Sequence, residues 1–287
     1  MNTIIILGII GGVFILVCII ILIVIISKTQ NKFQPKEDIP PVPEPSPSPP
    51  PTKKYNISPD YHIIDKEYYR LGVLENKKDQ DLTHIRNILD SLIQSIKSET
   101  IKQNLKKEKP IYLIGETPLD FKEFDWLKDV RSTDGNRNIM DLTAFATNLP
   151  TPGYISSKYN NCYCGYLDED IIVHEFLHTI QLSGFDNLIQ EEFMKLYNEY
   201  KVINNDYSIT SYAFLNDREL FSELGQVYFG VTTRMDEAST GGINLNLLKT
   251  KLPKLYSFMD NIFKSENSVR QKSCAQNCPN CNFSYCK

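Results

Sequence analysis

The stretch DEDIIVHEFLHTIQLSG, residues 168–184, contains two histidines four positions apart, with a glutamate directly after the first. On an α-helix, His174 and His178 lie one turn apart on the same face, so both imidazole rings can reach a single metal ion. The carboxylate of Glu175 lies one position further round, where it can act on a water molecule at the metal without binding the metal itself. The stretch therefore predicts a buried helix with a zinc site, although the same five residues also occur by chance on ordinary surface helices.

A catalytic zinc ion usually has three protein ligands and one open position for water. The longer motif that supplies a third histidine needs glycine and histidine where this chain has Gln181 and Gly184, so that arrangement is excluded. A later segment, NDRELFSELGQVYFG (216–230), offers Glu219 and Glu223, which share one face of a helix. Spacing alone leaves two interpretations open: a third metal ligand, or two solvated acids on an amphipathic helix.

The two segments together resemble one family of metallopeptidases. HEFLH (174–178), followed by SYAFLNDRELFSELGQVYFG (211–230), is similar to the catalytic domain of the anthrax lethal factor family, whose wider superfamily includes Pro-Pro endopeptidases. The resemblance implies that Glu219 is the third zinc ligand and that Glu223 supports a ligand from behind the site. It also implies a catalytic role for Tyr212, seven positions before the ligand.

The resemblance extends over nearly all of the chain that follows the N-terminal segments. It is carried also by YYRLGVLE (68–75), LTHIRNILDSLIQSI (82–96), KPIYLIGET (109–117) and LPKLYSFMDNIF (252–263). It implies a zincin-like metallopeptidase domain, in which a small sheet packs on the active-site helix and a helical C-terminal part follows. The chain departs from such relatives around residues 130–150, so the resemblance implies no particular substrate preference.

The implied activity is that of a zinc-dependent metalloendopeptidase acting on a peptide or protein substrate. Zinc on His174, His178 and Glu219 would lower the pKa of its water and polarise the scissile carbonyl. Glu175 would carry a proton from this water to the leaving amine, and Tyr212 would donate a hydrogen bond to the oxyanion. The alternative is a catalytically inactive zincin-like binding module displayed at a membrane.

Hydrophobic periodicity predicts the elements around these motifs. Apolar residues at spacings of three and four predict a helix over 81–97, and the apolar run 110–116 predicts a strand after a lysine-rich turn. A weaker strand is expected within 141–149. Further helices are predicted at about 189–203, 216–229 and 244–264, the last interrupted at Pro253. Strands and a helix followed by a run of helices indicate an α+β fold.

The first 54 residues have a different character. Residues 1–3 precede an apolar stretch at 4–26, and its 23 residues match the roughly 30 Å thickness of a bilayer's hydrocarbon core. The stretch lacks the basic start and the cleavage site of a signal peptide, so we expect a single-pass anchor whose partner is the lipid bilayer. Residues 27–54 contain nine of the sixteen prolines and are expected to form an extended polyproline II stalk.

The rest of the chain is expected to form a peptidase domain (55–267) and a cysteine-rich tail (268–287). Six cysteines lie outside the anchor: Cys162, Cys164, Cys274, Cys278, Cys281 and Cys286. They could form disulfides, stay unpaired or hold a small structural zinc ion. Disulfides would favour an extracellular, luminal or virion-surface domain, whereas the lysines after the anchor favour the cytosol, so the side of the membrane stays open. The net charge of −4 gives no reason to expect nucleic acid as a partner.

Overall fold

The computed structural model describes part of the chain: residues 61–116, 144–146, 152–158, 169–203, 213–233, 245–264 and 269–273. All of these belong to one compact unit, Pro51–Lys287. The predicted anchor (4–26) and nearly all of the stalk (27–54) precede this unit, and both lie outside the described residues. Within the described ranges, no helix combines the length and the apolar character needed to cross a bilayer.

A five-stranded sheet forms one layer of the domain, in the order β1-β2-β3-β5-β4. Strands β1 (Tyr61–Asp65) and β2 (Arg70–Leu74) form an antiparallel hairpin, and β3 (Ile111–Gly115) runs parallel to β2. Strand β5 (Gly153–Ser156) is parallel to β3, and β4 (Ala144–Phe145) pairs antiparallel with β5 at the edge. Every residue of β3 is buried, as expected for a central strand covered on both faces.

Two helices connect the parallel strands β2 and β3. Helix α1 (Thr83–Ser95) confirms the helix predicted over 81–97. The expected lysine-rich turn is instead a second helix, α2 (Glu99–Glu108), which differs from the prediction. Its start is fixed by Ser98, whose hydroxyl accepts a hydrogen bond from the amide of Ile101. Ile101 and Leu105 are fully buried one turn apart, and this short apolar stripe stabilises the helix despite its many lysines.

The helix that carries the two histidines packs directly on the sheet. Helix α3 (Ile171–Thr179) continues into a π-helical turn, Ile180–Gly184, so the element ends at the predicted glycine. The hydroxyl of Tyr112 on β3 donates to the backbone oxygen of Glu175 at 3.2 Å. The ring of Phe176 lies 6.0 Å from that of Tyr112, between centroids. These contacts place one face of α3 against the sheet and leave the histidine face for the helices that follow.

The C-terminal part is helical, as predicted. It comprises α4 (Asn187–Ile203), α5 (Asp217–Phe229), α6 (Leu245–Lys251), α7 (Pro253–Ile262) and the short α8 (Arg270–Ser273). The interruption expected at Pro253 is confirmed, since the proline is the first residue of α7, where its missing amide hydrogen costs no hydrogen bond. The mixture of a small sheet and many helices confirms the α+β class.

Candidate metal centre

Helix α3 is anchored at its first turn, directly before the histidines. The carboxylate of Asp170 accepts hydrogen bonds from the amides of Ile172 (3.0 Å) and Val173 (3.2 Å) and another from the hydroxyl of Ser273 on α8. The amide of Asp170 donates to the oxygen of Val231, just beyond the end of α5, at 3.0 Å. The start of α3 therefore lies beside the end of α5, and the two helices run antiparallel.

Helix α5 presents a buried polar stripe to α3. Its N-cap is Asn216, whose side-chain oxygen accepts hydrogen bonds from the amides of Arg218 and Glu219, each at 3.0 Å. It ends at Gly230, whose φ of 65° lies in the left-handed region that glycine adopts without strain. The stripe follows spacings of three and four along an otherwise apolar helix, and all its members are buried: Glu219, Ser222, Glu223 and Gln226.

Three potential ligand atoms meet between α3 and α5. The Nε2 atom of His174 lies 3.1 Å from Glu219 Oε2 and 3.1 Å from the Nε2 atom of His178. His178 Nε2 lies 3.5 Å from the same glutamate oxygen. Ligands about 2.0–2.1 Å from a tetrahedral zinc ion are separated from one another by about 3.3 Å. The described residues therefore form a buried group that could hold a metal ion, and its spacing fits zinc.

Hydrogen bonds behind the rings orient both imidazoles. The side-chain nitrogen of Gln226 donates to the Asp170 backbone oxygen (3.1 Å) and to Glu169 (3.3 Å), so its oxygen faces His174 Nδ1 at 3.2 Å. Nδ1 must then carry a hydrogen, so a metal ion would bind at Nε2 and displace the proton that Nε2 shares with Glu219 in the metal-free site. For His178, the hydroxyl of Ser222 lies 2.9 Å from Nδ1, where it can accept the hydrogen of that nitrogen while Nε2 binds a metal.

The predicted supporting carboxylate, Glu223, lies near His174 but further away than Gln226. Its Oε1 is 3.7 Å from His174 Nδ1. Among the described residues, Glu223 also belongs to a second potential metal-binding group, together with Glu169 and His174. That group would need His174 Nδ1, which already donates to Gln226, and it shares its histidine with the first group. The three atoms described above are therefore the better metal site.

Glu175 directly follows His174 and is partly exposed, whereas the three candidate ligands are buried. Its Oε2 accepts a hydrogen bond of 2.7 Å from the amide of Ala146, the residue directly after the edge strand β4. Its other oxygen, Oε1, makes no hydrogen bond within the described part of the chain. The edge strand thus fixes the rotamer of the carboxylate and leaves one oxygen to act on a neighbouring molecule.

The pKa values of the site residues are shifted by burial and by the closeness of several carboxylates. Burial acts to lower the pKa of His174, but the hydrogen bond with Glu219 and the nearby carboxylates outweigh it and raise this pKa to about 10. For Glu219, burial acts to raise the pKa, yet hydrogen bonds with His174 and His178 hold it well below its usual range. Burial lowers the pKa of His178 and raises the pKa of Glu175 to about 8. The excess of carboxylates favours a cation between the two helices.

The structure brings together four of the residues predicted from the sequence, His174, Glu175, His178 and Glu219, with Glu223 beside them. Tyr212 lies outside the described residues. So do all the cysteines considered for disulfides: Cys162, Cys164, Cys274, Cys278, Cys281 and Cys286. Ser222 and Gln226 were not anticipated, although their positions three and seven residues after Glu219 place them on its helical face.

Comparison with known proteins adds little to these observations. No protein-family model matches the chain, and no curated protein sequence matches it. Among solved structures, the chain is similar to the Pro-Pro endopeptidase PPEP-2 from Paenibacillus alvei, with 18% identity and a TM-score of 0.43. The match covers 66% of this chain and 95% of that chain. A likeness of this size does not establish a shared family, so the functional argument rests on the residues themselves.

Proposed function

We propose that the chain is a membrane-anchored, zinc-dependent metalloendopeptidase with a zincin-like domain. The observation that carries the proposal is the convergence of His174 Nε2, His178 Nε2 and Glu219 Oε2 within 3.5 Å of one another, between two buried helices. These donors are the set that catalytic zinc sites use when two histidines and one glutamate bind the ion. Residues 4–26 would hold the domain at the membrane through the proline-rich stalk.

When bound, a zinc ion would act as a Lewis acid that lowers the pKa of a water molecule and polarises the scissile carbonyl. Glu175 would take a proton from the attacking water on Oε1 and deliver it to the leaving amine nitrogen. Burial raises the pKa of Glu175 in the metal-free site, and a cation at the neighbouring ligands would lower it again and favour the ionised form that acts as a base. Ala146 would hold this carboxylate in place through its amide.

The remaining residues would act through the ligands or on the developing charge. Gln226 would keep a hydrogen on His174 Nδ1, and Ser222 would accept the hydrogen of His178 Nδ1, while both Nε2 atoms bind the metal. Glu223 would add negative charge behind His174. Tyr212 would donate a hydrogen bond to the oxyanion, a role that rests on the family resemblance.

Cleavage of a diverse peptide pool by the full chain in detergent, followed by mass spectrometry, tests the proposal. We expect zinc-loaded wild type to cleave, and Glu175→Ala to lose about 10²- to 10⁴-fold of the rate because only the base is removed. Chelation should abolish cleavage and added zinc should restore it, while Glu191→Ala, an exposed glutamate on α4, serves as a matched control. Folded, zinc-loaded wild type that cleaves no peptide, or cleavage that survives in Glu175→Ala, would contradict the proposal and favour a binding module.

A further inference from the structure

A cavity of about 340 Å³ lies next to the candidate metal centre. Its walls come from the π-helical turn after α3, from the first turns of α4 and from the start of α5. The polar residues that line it include Gln181, Asp186, Gln190, Asp217 and Arg218. None of these residues has a role in the proposed reaction.

The cavity continues the face of α3 that carries the histidines. Gln181 follows His178 by three residues and lies in the π-helical turn directly after α3, and its amide group reaches across to Asp217 at the start of α5. On the opposite wall, Asp217 and Arg218 directly precede Glu219. The walls of the cavity therefore adjoin the candidate ligands on both helices, and a peptide bound at the metal centre would pass beside it.

Two carboxylates in the cavity each have one oxygen available. Asp217 Oδ2 accepts hydrogen bonds from the amide groups of Gln181 (2.8 Å) and Gln190 (3.0 Å), which fix its orientation. Asp186 Oδ1 accepts a bond of 2.9 Å from the amide of Ile189 and caps α4. The second oxygen of each carboxylate makes no hydrogen bond within the described residues. These oxygens are held in place to accept hydrogen bonds from a ligand.

The amide oxygen of Gln181 is an acceptor without a donor. Gln181 is only 4% exposed, and its Oε1 has no hydrogen-bond partner among the described residues. Turning the amide over would not solve this, because the oxygen would then face the carboxylate of Asp217. A buried acceptor left unpaired costs free energy, and because Oε1 has less than 1 Å² of accessible surface, a ligand donor would reach it only after a local shift of the side chains around it.

The remaining walls suit the stem of a long side chain. Leu182, Phe185 and Met194 provide apolar surface, against which the methylene groups of lysine or arginine pack well. Arg218 is exposed and has no carboxylate within ion-pair distance in the described part of the chain. With two carboxylates against this one exposed guanidinium, the cavity favours a cation over an anion.

We propose that this cavity is a specificity subsite that binds a lysine or arginine side chain of the substrate, close to the scissile bond. This inference rests on the proposed peptidase function. The ammonium or guanidinium group would donate to Asp217 and Asp186, and a small shift would bring it to Gln181 Oε1. Recognition would depend on the positive charge of the substrate side chain and on its number of hydrogen-bond donors. The apolar walls would favour a side chain with a long methylene stem.

Peptide binding to the full chain in detergent, measured by fluorescence anisotropy with zinc-loaded Glu175→Gln, tests the subsite without turnover. The labelled peptides differ at one scanned position, which holds lysine, norleucine or glutamate. At one position we expect lysine to bind at least about tenfold more tightly than norleucine, the size of a hydrogen bond to a charged group. Adding Asp217→Asn should bring this ratio close to one, and Asp186→Asn, which preserves the helix cap, should lower it in part.

Glu192→Gln is the matched control, since it removes an exposed acid from α4 outside the cavity and should leave the ratio unchanged. Equal binding of lysine and norleucine at every scanned position would overturn the inference. Tighter binding of glutamate that is lost in Arg218→Gln would also overturn it. Cleavage of the same peptides by wild type is scored separately. A lysine preference without any cleavage would count against the peptidase proposal alone, and cleavage without a lysine preference would count against the subsite alone.

Discussion

Two hydrogen bonds decide how the histidines of this site can act. Each imidazole uses Nδ1 for a neutral partner, Gln226 or Ser222, and each presents Nε2 to the space beside Glu219. Such partners hold the ring orientation of metal-binding histidines, and the amide oxygen of Gln226 also determines that Nδ1 of His174 carries a hydrogen. Because both partners lie on α5, the same helix supplies one of the three proposed ligands and orients the other two.

We expect Ser222→Ala to weaken zinc binding by about 10- to 100-fold. The change removes the partner of His178 Nδ1 and leaves all three ligands in place. Affinity can be measured by competition with a chromophoric chelator. Ser91→Ala is the control, because Ser91 is also a buried helical serine, but its hydroxyl bonds only to the backbone oxygen of Ile88. Equal losses of affinity in the two variants would show that Ser222 has no specific role.

At the residue scale, the sequence identifies the candidate ligands more readily than the side chains that lie behind them. His174, Glu175 and His178 follow from one short motif, and the family resemblance singles out Glu219. The same resemblance favours Glu223 as the supporting residue, whereas Gln226 lies closer to His174. Both side chains are on the same face of α5. Whether Glu223 or Gln226 lies against His174 Nδ1 depends on how far α5 is shifted along its axis relative to α3. The spacing of residues within one helix does not give that shift.

At the scale of elements, the candidate metal centre requires α3 and α5 to pack closely against each other. Gly225 faces Leu177, and a Cβ atom at position 225 would lie 2.4 Å from Leu177 Cδ1. Leu177 is fully buried, so its side chain has little room to move. The glycine therefore lets the two helices approach closely enough for Glu219 to reach the histidines.

Gly225→Ala should lower the free energy of unfolding by about 1–3 kcal/mol, because it overpacks this contact. It should also weaken zinc binding by moving α5 away from α3. Urea unfolding followed by circular dichroism gives the first quantity. Adding Leu177→Ala makes room for the new methyl group, so the double variant should lose less than the sum of the single variants. Strict additivity, or an unchanged stability of Gly225→Ala, would contradict this packing.

A second contact between elements gives a pH dependence. Tyr69, just before β2, donates a hydrogen bond of 2.6 Å to Asp90 on α1. Burial, together with the bond to Asp90, raises the pKa of Tyr69 well above its ordinary value. As the pH rises through about 10, the unfolded chain loses this proton while the folded chain keeps it. The contribution of Tyr69 to stability is therefore complete below pH 10 and is lost above it.

Tyr69→Phe should cost about 1 kcal/mol of unfolding free energy at pH 8, the usual value of one hydrogen bond. The stability advantage of wild type should fall by about 1.4 kcal/mol between pH 8 and pH 11, so the variant should be slightly more stable than wild type at pH 11. Urea unfolding of both proteins over this range measures it, and the comparison cancels the titration of the other tyrosines. A difference that stays constant with pH would show that the hydroxyl of Tyr69 titrates normally.

At the scale of elements, strong periodicity makes the helices predictable. The stripes of α1, α3, α4 and α5 are long enough to reveal their bounds, and Pro253 marks the break between α6 and α7. Helix α2 is not predicted from the sequence, because its buried stripe consists only of Ile101 and Leu105. Strands β1, β2 and β5 were not predicted, since runs of four or five residues carry little periodic signal.

Over the whole molecule, the described domain is expected to follow an anchor and a stalk. Hydropathy predicts a membrane span at 4–26, and a span of this kind is recognised from the sequence alone. The side of the membrane on which the domain lies is harder to predict, because the lysines after the anchor favour the cytosol whereas disulfides between the cysteines would favour the opposite side. It therefore stays a prediction that the domain is held at a membrane, on either side.

The full chain should sediment with membranes, resist extraction by sodium carbonate and dissolve only in detergent. Removal of residues 1–26 should release the domain into the soluble fraction with its zinc still bound. Glu175→Ala should fractionate like wild type, because the stalk is expected to act as a spacer and not as a substrate. Recovery of the intact full chain in the soluble fraction would contradict the anchor, and release that depends on Glu175 would indicate self-cleavage at the stalk.

Zinc content tests the central claim most directly. The full chain in detergent is dialysed against buffered free zinc, and the bound metal is counted by mass spectrometry of the element. We expect one zinc ion per chain in wild type and in Glu175→Ala, because Glu175 is not a ligand, and a strong loss in Glu219→Ala. Glu223→Ala should keep most of its metal. Full zinc content in folded Glu219→Ala, or loss of the ion in Glu223→Ala instead, would contradict a site built from His174, His178 and Glu219.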